Sequence, residues 1–222
     1  KAINIKPDFA NGYNNMGNSL KDQGKLAEAI EAYNIALAIK PDFAEAHNNM
    51  GNALKRQGKQ KNAVKAYRKA ISINPNYAEA YSNLGNTLAD QGILSDAIEA
   101  YEKALQIKPD YAEAYSNMGT AYGDQGLLNE AIEAYEKALL IKTDCAETLY
   151  NMANALKNVA FLKPSSHLQQ MIISILNCKT YARPKDIAPA SLTLLRYEPE
   201  IKKLLKHNSN GKFTELKDKD TI

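Results

Sequence analysis

The sequence predicts an all-α protein, a solenoid of helical hairpins with a helical cap at its C-terminal end. Three observations carry this expectation. Pro7, Pro41, Pro75 and Pro109 recur every 34 residues, and Gly17, Gly51, Gly85 and Gly119 keep the same step. Ala29, Ile30, Tyr33, Ala36 and Leu37 form one apolar stripe on a helix. Gly24 breaks the chain ahead of that stripe and Pro41 stops it, so each period reads as two helices and a turn.

Taken in order, residues 1–9 begin KAINIKPD, the end of a second helix whose partner is missing. The chain is therefore expected to be a piece of a longer protein, because its array starts in mid-repeat. Four whole repeats follow, over residues 10–43, 44–77, 78–111 and 112–145, with Ala29, Ala63, Ala97 and Ala131 and then Tyr33, Tyr67, Tyr101 and Tyr135 in step. Residues 146–163 open a fifth repeat with a normal first helix, but Ala153 and Ala160 replace the two glycines. Residues 164–207 read as capping helices: Ser166 and Gln169 make a capping box ahead of the stripe Leu168, Met171, Ile172, Ile175 and Leu176. Pro199 then fits the first turn of a last short helix. Residues 208–222 have no core-forming pattern and read as a tail or linker.

The 34-residue unit with Tyr81, Leu84, Gly85, Leu88, Gly92, Ala97, Tyr101, Ala104 and Pro109 resembles the tetratricopeptide repeat, over roughly residues 1–160. The resemblance implies a right-handed α-solenoid in which the first helix of each hairpin lines a concave groove. It also frames the asparagines. At roughly 100° per residue, Asn83 and Asn86 turn away from the first-helix core of Tyr81, Leu84, Gly85 and Leu88 and into that groove.

Stacked repeats align Asn15, Asn49, Asn83, Asn117 and Asn151 in one column and Asn18, Asn52, Asn86, Thr120 and Asn154 in a second. An amide both donates and accepts, so such a column can hold the main chain of an extended peptide without reading its side chains. The first column resembles the asparagine ladder of O-linked N-acetylglucosamine transferases. The alternative is a structural role, the amides bonding groups between helices. Asp22, Asp90 and Asp124 lie near first-helix C-termini, where the macrodipole disfavours an anion, and are expected to form an acidic lip that favours basic or neutral segments. Glu45, Glu79, Glu113 and Glu147 each follow Asp42, Asn76, Asp110 or Asp144 at a capping-box spacing and are expected to cap helices. Repeats that capture the acidic C-terminus of heat-shock chaperones carry cations at positions that here hold Asn14, Asn48, Ser82 and Ser116, so carboxylate capture is not expected.

Charge narrows the function further. Residues 161–222 carry +5 and residues 1–160 carry −2, with no basic stripe interleaved with aromatics, so a nucleic-acid partner is not expected. No apolar run approaches the roughly 20 residues of a membrane span. His47 takes a core position of its repeat, while His167, His207, Cys145 and Cys178 match no catalytic, redox or metal spacing, so neither a metal nor a cofactor is expected. The lack of a disulfide framework suits a reducing, cytoplasmic setting.

The reading that results is a protein-interaction scaffold, not itself an enzyme, which binds an extended peptide or a partner helix in the groove. The alternative is a substrate-recruiting arm of a larger glycosyltransferase-, methyltransferase- or sulfotransferase-type enzyme. The segment HLQQMIISILNC onward resembles connectors to methyltransferase or sulfotransferase domains in some bacterial proteins. End-to-end self-association through an exposed terminal helix is a further expectation.

Overall fold

A computed structural model of the chain describes residues 7–142 and 145–156. The helices are α1 (Pro7–Asp22), α2 (Leu26–Ile39), α3 (Ala44–Arg56), α4 (Gln60–Ile73), α5 (Ala78–Ala89), α6 (Leu94–Ile107), α7 (Ala112–Asp124), α8 (Leu128–Ile141) and α9 (Ala146–Leu156). No strand occurs among the described residues. The chain divides into two units, Lys1–Asp144 and Cys145–Ile222. The first holds α1 to α8, and α9 belongs to the second. The expected capping helices of residues 164–207, the tail 208–222 and Cys178 lie outside the described residues.

Within the first unit, α1 packs on α2, α3 on α4, α5 on α6 and α7 on α8, and each second helix packs against the next first helix. First helices also touch one another in the order α1, α3, α5, α7. This is the α-solenoid that the repeat implies. Helix α1 starts at Pro7, so Pro7, Asp8 and Phe9 lie in its opening turn, and residues 1–6 of the expected preceding repeat lie outside the described residues. Proline is at home there because the missing N–H is one that a first turn leaves unpaired. No described helix is long and apolar enough to cross a membrane.

Two glycines per repeat set the hairpin. Gly92 takes φ 75°, a left-handed conformation that lets its N–H donate to the Ala89 carbonyl and the Ile93 N–H to the Leu88 carbonyl, ending α5 in a Schellman turn. The earlier glycine serves packing. A Cβ on Gly85 would lie 2.7 Å from a ring carbon of Tyr101, and on Gly17 it would lie 2.5 Å from one of Tyr33. The tyrosine of the second helix therefore lies flat on the bare backbone of the first, and Tyr33, Tyr67 and Tyr101 are fully buried. Around them Leu84, Leu88, Ile98, Leu105 and Met118 build a core continuous from one repeat to the next.

The capping expectation is corrected. The N-caps of α3, α5 and α7 are Phe43, Tyr77 and Tyr111, and none makes a side-chain cap bond. These helices begin one residue later than a capping box on Asp42, Asn76 and Asp110 requires, which frees Glu45 and Glu79 for partners in the preceding repeat.

His47 stands where Tyr13, Tyr81 and Tyr115 stand in the other repeats. Its Nε2–H donates to the Pro41 carbonyl at 3.1 Å, and its buried Nδ1 has no partner among the described residues. Burial holds its pKa below the usual value, against the Pro41 bond and with help from Lys69.

Two outcomes follow from this packing. Gly85→Ala is expected to lower stability by about 1–3 kcal/mol, because a methyl must displace a buried ring and overrides the helix propensity gained. Gly12→Ala in α1, with nothing within 4 Å of the added carbon, is expected to raise stability by about 0.5–1 kcal/mol; urea denaturation of both variants reads the difference. For His47, the unfolded chain takes up its proton first as pH falls through about 6.5, so this histidine's stabilisation is complete above that pH and declines below it toward the lower folded pKa. Urea midpoints at pH 7.5 and 5.5 should fall less for His47→Tyr than for the wild type. Equal declines would remove His47 as the cause.

Candidate functional site

The polar faces of α1, α3, α5 and α7 carry the asparagines, and the chain itself uses part of their hydrogen-bonding capacity. Asn14, 1 % exposed, sits at the first junction. Its Nδ2 donates to Glu45 Oε1 at 3.0 Å, and its Oδ1 accepts from Asn49 Nδ2 at 3.0 Å. The second junction repeats the pattern: Asn48 donates to Glu79 Oε1 at 3.3 Å and accepts from Asn83 Nδ2 at 3.0 Å. Asn14 and Asn48 are thus the hubs of a ladder that joins one repeat to the next.

At the third junction the ladder changes partner. Ser82 replaces the hub asparagine and is too short to reach the next repeat; its hydroxyl lies near that of Tyr111. Asn117 Nδ2 turns instead to Asn86 Oδ1, at 2.8 Å.

The second column has a structural task in addition to its expected place along the groove. Tyr33, Tyr67 and Tyr101 donate their hydroxyls to the Oδ1 of Asn18, Asn52 and Asn86 at 2.8, 2.7 and 2.7 Å, and Tyr135 donates to Thr120 at 3.2 Å. Burial, with Asp22 and Glu45 adding to it, pushes the Tyr33 hydroxyl up to about 12, and burial raises Tyr67, Tyr101 and Tyr135 as well. These tyrosines therefore stay protonated and donate throughout the ordinary pH range.

In the first column, Asn15 is exposed, Asn49 is buried, and Asn83 and Asn117 are half-buried. Asn83 and Asn117 each use one amide hydrogen in the ladder. Their second hydrogen and their carbonyl oxygen take no partner among the described residues. Asn151 and Asn154 lie half-buried on α9, within the second unit.

The acidic lip is also corrected. Lys55 Nζ lies 3.0 Å from Asp90 Oδ2, Lys21 Nζ lies 3.9 Å from Asp22 Oδ1, and Arg56 donates to the Lys21 carbonyl at 3.0 Å. Lys21, Asp22, Asn52, Lys55, Arg56 and Asn83 line a cleft of about 480 Å³ at this end of the first helices. Lys55 stands one residue before the aspartate position of its own repeat, so stacking brings it against Asp90 of the next. Asp124 remains exposed at the end of α7. Sequence reasoning passed over Lys21 and Lys55 as cleft residues, and Asn14 and Asn48 as hubs. Their signal was the coincidence of asparagine in one repeat with glutamate 31 residues on.

Models of the tetratricopeptide repeat match residues 17–58, 51–92 and 85–126, and a further one matches residues 112–145. Among solved structures, a crystal structure of MamA is 24% identical and aligns over 85% of this chain and 96% of its own with a TM-score of 0.61. PilF of Pseudomonas aeruginosa is 19% identical over 92% of this chain and 98% of its own, TM-score 0.64. The first TPR of Spaghetti (RPAP3), bound to the HSP90 peptide SRMEEVD, is 26% identical over 56% of this chain and 99% of its own, TM-score 0.54. Comparison with curated proteins finds no significant match.

The interrupted ladder generates a prediction. Ser82→Asn places a hub between Glu113 and Asn117, in the setting that Asn48 and Asn14 occupy one and two repeats earlier. Each hydrogen bond regained is expected to add about 0.5–1.5 kcal/mol, read as a higher urea midpoint at unchanged slope. A lower midpoint would show that the third junction is packed for serine.

Proposed function

Because the chain belongs to the tetratricopeptide repeat family, we propose that it is a protein-interaction scaffold that holds an extended peptide or a partner helix along α1, α3, α5 and α7. The observation that carries this reading is the unused half of the first asparagine column. Asn83 and Asn117 are fixed by one amide hydrogen each and keep a donor and an acceptor for a ligand. Amides held in place lose little side-chain entropy on binding, which favours them as contacts to a main chain.

The resemblance of the column to the ladder of O-linked N-acetylglucosamine transferases supports a backbone-directed mode of capture. The RPAP3 repeat bound to an HSP90 peptide supports peptide binding by this fold. The cleft of Lys21, Lys55 and Arg56 adds a mixed-charge end, where an acidic ligand side chain meets cations. The recruiting-arm alternative draws no support from the structures compared.

An array of unrelated 15-residue peptides tests the reading with Asn15→Ala/Asn83→Ala/Asn117→Ala, its folding checked by circular dichroism. Binding should weaken at least tenfold across the peptides that bind the wild type. Asn14→Ala serves as the control, since Asn14 is buried and anchors neither Asn83 nor Asn117. It should lower stability, leaving an unpaired partner at about 1–3 kcal/mol, and keep binding. Equal loss in both variants would assign the column to the solenoid alone.

A further inference from the structure

A second cleft, of about 550 Å³, opens between the second helices α6 and α8 with α7 as its floor. It lies on the other side of α7 from Asn117. Tyr115, Met118 and Tyr122 recur at helix spacing and form the apolar floor, while Glu102 of α6 and Glu130 and Glu133 of α8 stand at the rim with Lys137. The three glutamates are exposed and make no ion pair among the described residues.

The repeat supplies its own comparison. At the matching positions the first seam has Asn34, Asn62, Lys65 and Lys69, the second has Arg68, Asp96, Glu99 and Lys103, and this third has Glu102, Glu130, Glu133 and Lys137. The formal charge of the rim therefore runs from +2 through 0 to −2 along one continuous surface. The floor departs from the pattern at the same place, because Tyr122 occupies the position that Leu20, Leu54 and Leu88 fill in the earlier repeats. Packing alone is met by leucine three times. Burial raises the pKa of the Tyr122 hydroxyl, and the fields of Glu102, Glu130 and Glu133 raise it further, which places all three carboxylates around this ring.

We propose that this cleft docks a basic segment of a partner protein, with an arginine or lysine side chain entering between the Tyr122 ring and the glutamates and apolar neighbours covering Met118. An aromatic face attracts a cation through its quadrupole, and carboxylates beside it supply the hydrogen-bond acceptors that a guanidinium or ammonium loses on leaving water. The chain already holds one such pair at the edge of the cleft, Lys137 Nζ lying 5.8 Å from the Tyr115 ring centre. Net negative charge at the rim draws in the basic partner and repels acidic ones. This site is separate from the asparagine groove and does not depend on it.

The test is fluorescence anisotropy of the full chain with a fluorescein-labelled peptide of sequence LRLLRL, acetylated and amidated, and with the same peptide carrying neutral citrulline for arginine. The wild type should bind the arginine peptide at least tenfold more tightly than the citrulline one. Tyr122→Leu, which installs the residue of the earlier repeats, and Glu130→Gln/Glu133→Gln should each remove at least tenfold of that affinity at unchanged helicity. Glu28→Gln/Glu31→Gln on α2 changes net charge equally and should leave binding intact. No binding of the arginine peptide, equal binding of the citrulline peptide, or equal loss in the α2 variant would overturn the proposal.

Discussion

The contact between a glycine of each first helix and the tyrosine of its second helix is the constraint from which the rest of the structure follows. A ring lying on a backbone without Cβ, as Tyr101 lies on Gly85, fixes how closely the two helices approach. It also fixes where the hydroxyl ends up. The Tyr101 hydroxyl reaches Asn86, the residue after the glycine, and Asn86 in turn accepts from Asn117 of the next repeat. A steric fit inside one hairpin thus sets the polar chemistry between hairpins. The neighbouring core of Leu84, Leu88 and Leu105 excludes water from this arrangement and makes each unmade bond expensive.

The ladder that results has a double character. Buried hubs such as Asn14 and Asn48 satisfy both ends of their amides within the chain and hold successive first helices in register. Asn83, anchored by its bond to the hub Asn48, and Asn117, anchored instead by its bond to Asn86, each leave part of their amide unused among the described residues. In the proposed capture of a peptide, structural and ligand-binding roles therefore do not compete. The internal bond is what orients the external one. Capture of a peptide along such a row draws its affinity from rigidity more than from the number of contacts.

The two faces of the solenoid differ in how they vary. On the groove side, near-identical asparagines repeat from hairpin to hairpin, suited to a main chain, which is also uniform. On the seam between α6 and α8, charge changes steadily along the chain and one leucine position becomes Tyr122. A uniform surface gives breadth, and a graded one gives direction. Under the two proposals, one array holds a partner loosely along its length and orients it at one end.

The sequence by itself determined the hairpin, its period and its turns, since these rest on spacing within a single repeat: Gly92 for the left-handed turn, Gly85 and Tyr101 for the close approach, the apolar stripes for the core. It also marked a helix opening at Ala146, where α9 runs. Hydrogen bonding between repeats was decided only by the tertiary structure. The spacing that made Glu45 and Glu79 look like capping residues is equally the spacing that sets them against Asn14 and Asn48, and the helix start at Phe43 or Tyr77 selects the second role. Asp90 likewise read as part of an acidic lip until stacking set it 3.0 Å from Lys55 of the preceding repeat. Periodicity specifies which way a side chain leaves its own helix. Its partner is set by the offset between successive hairpins, a packing quantity that no single repeat contains.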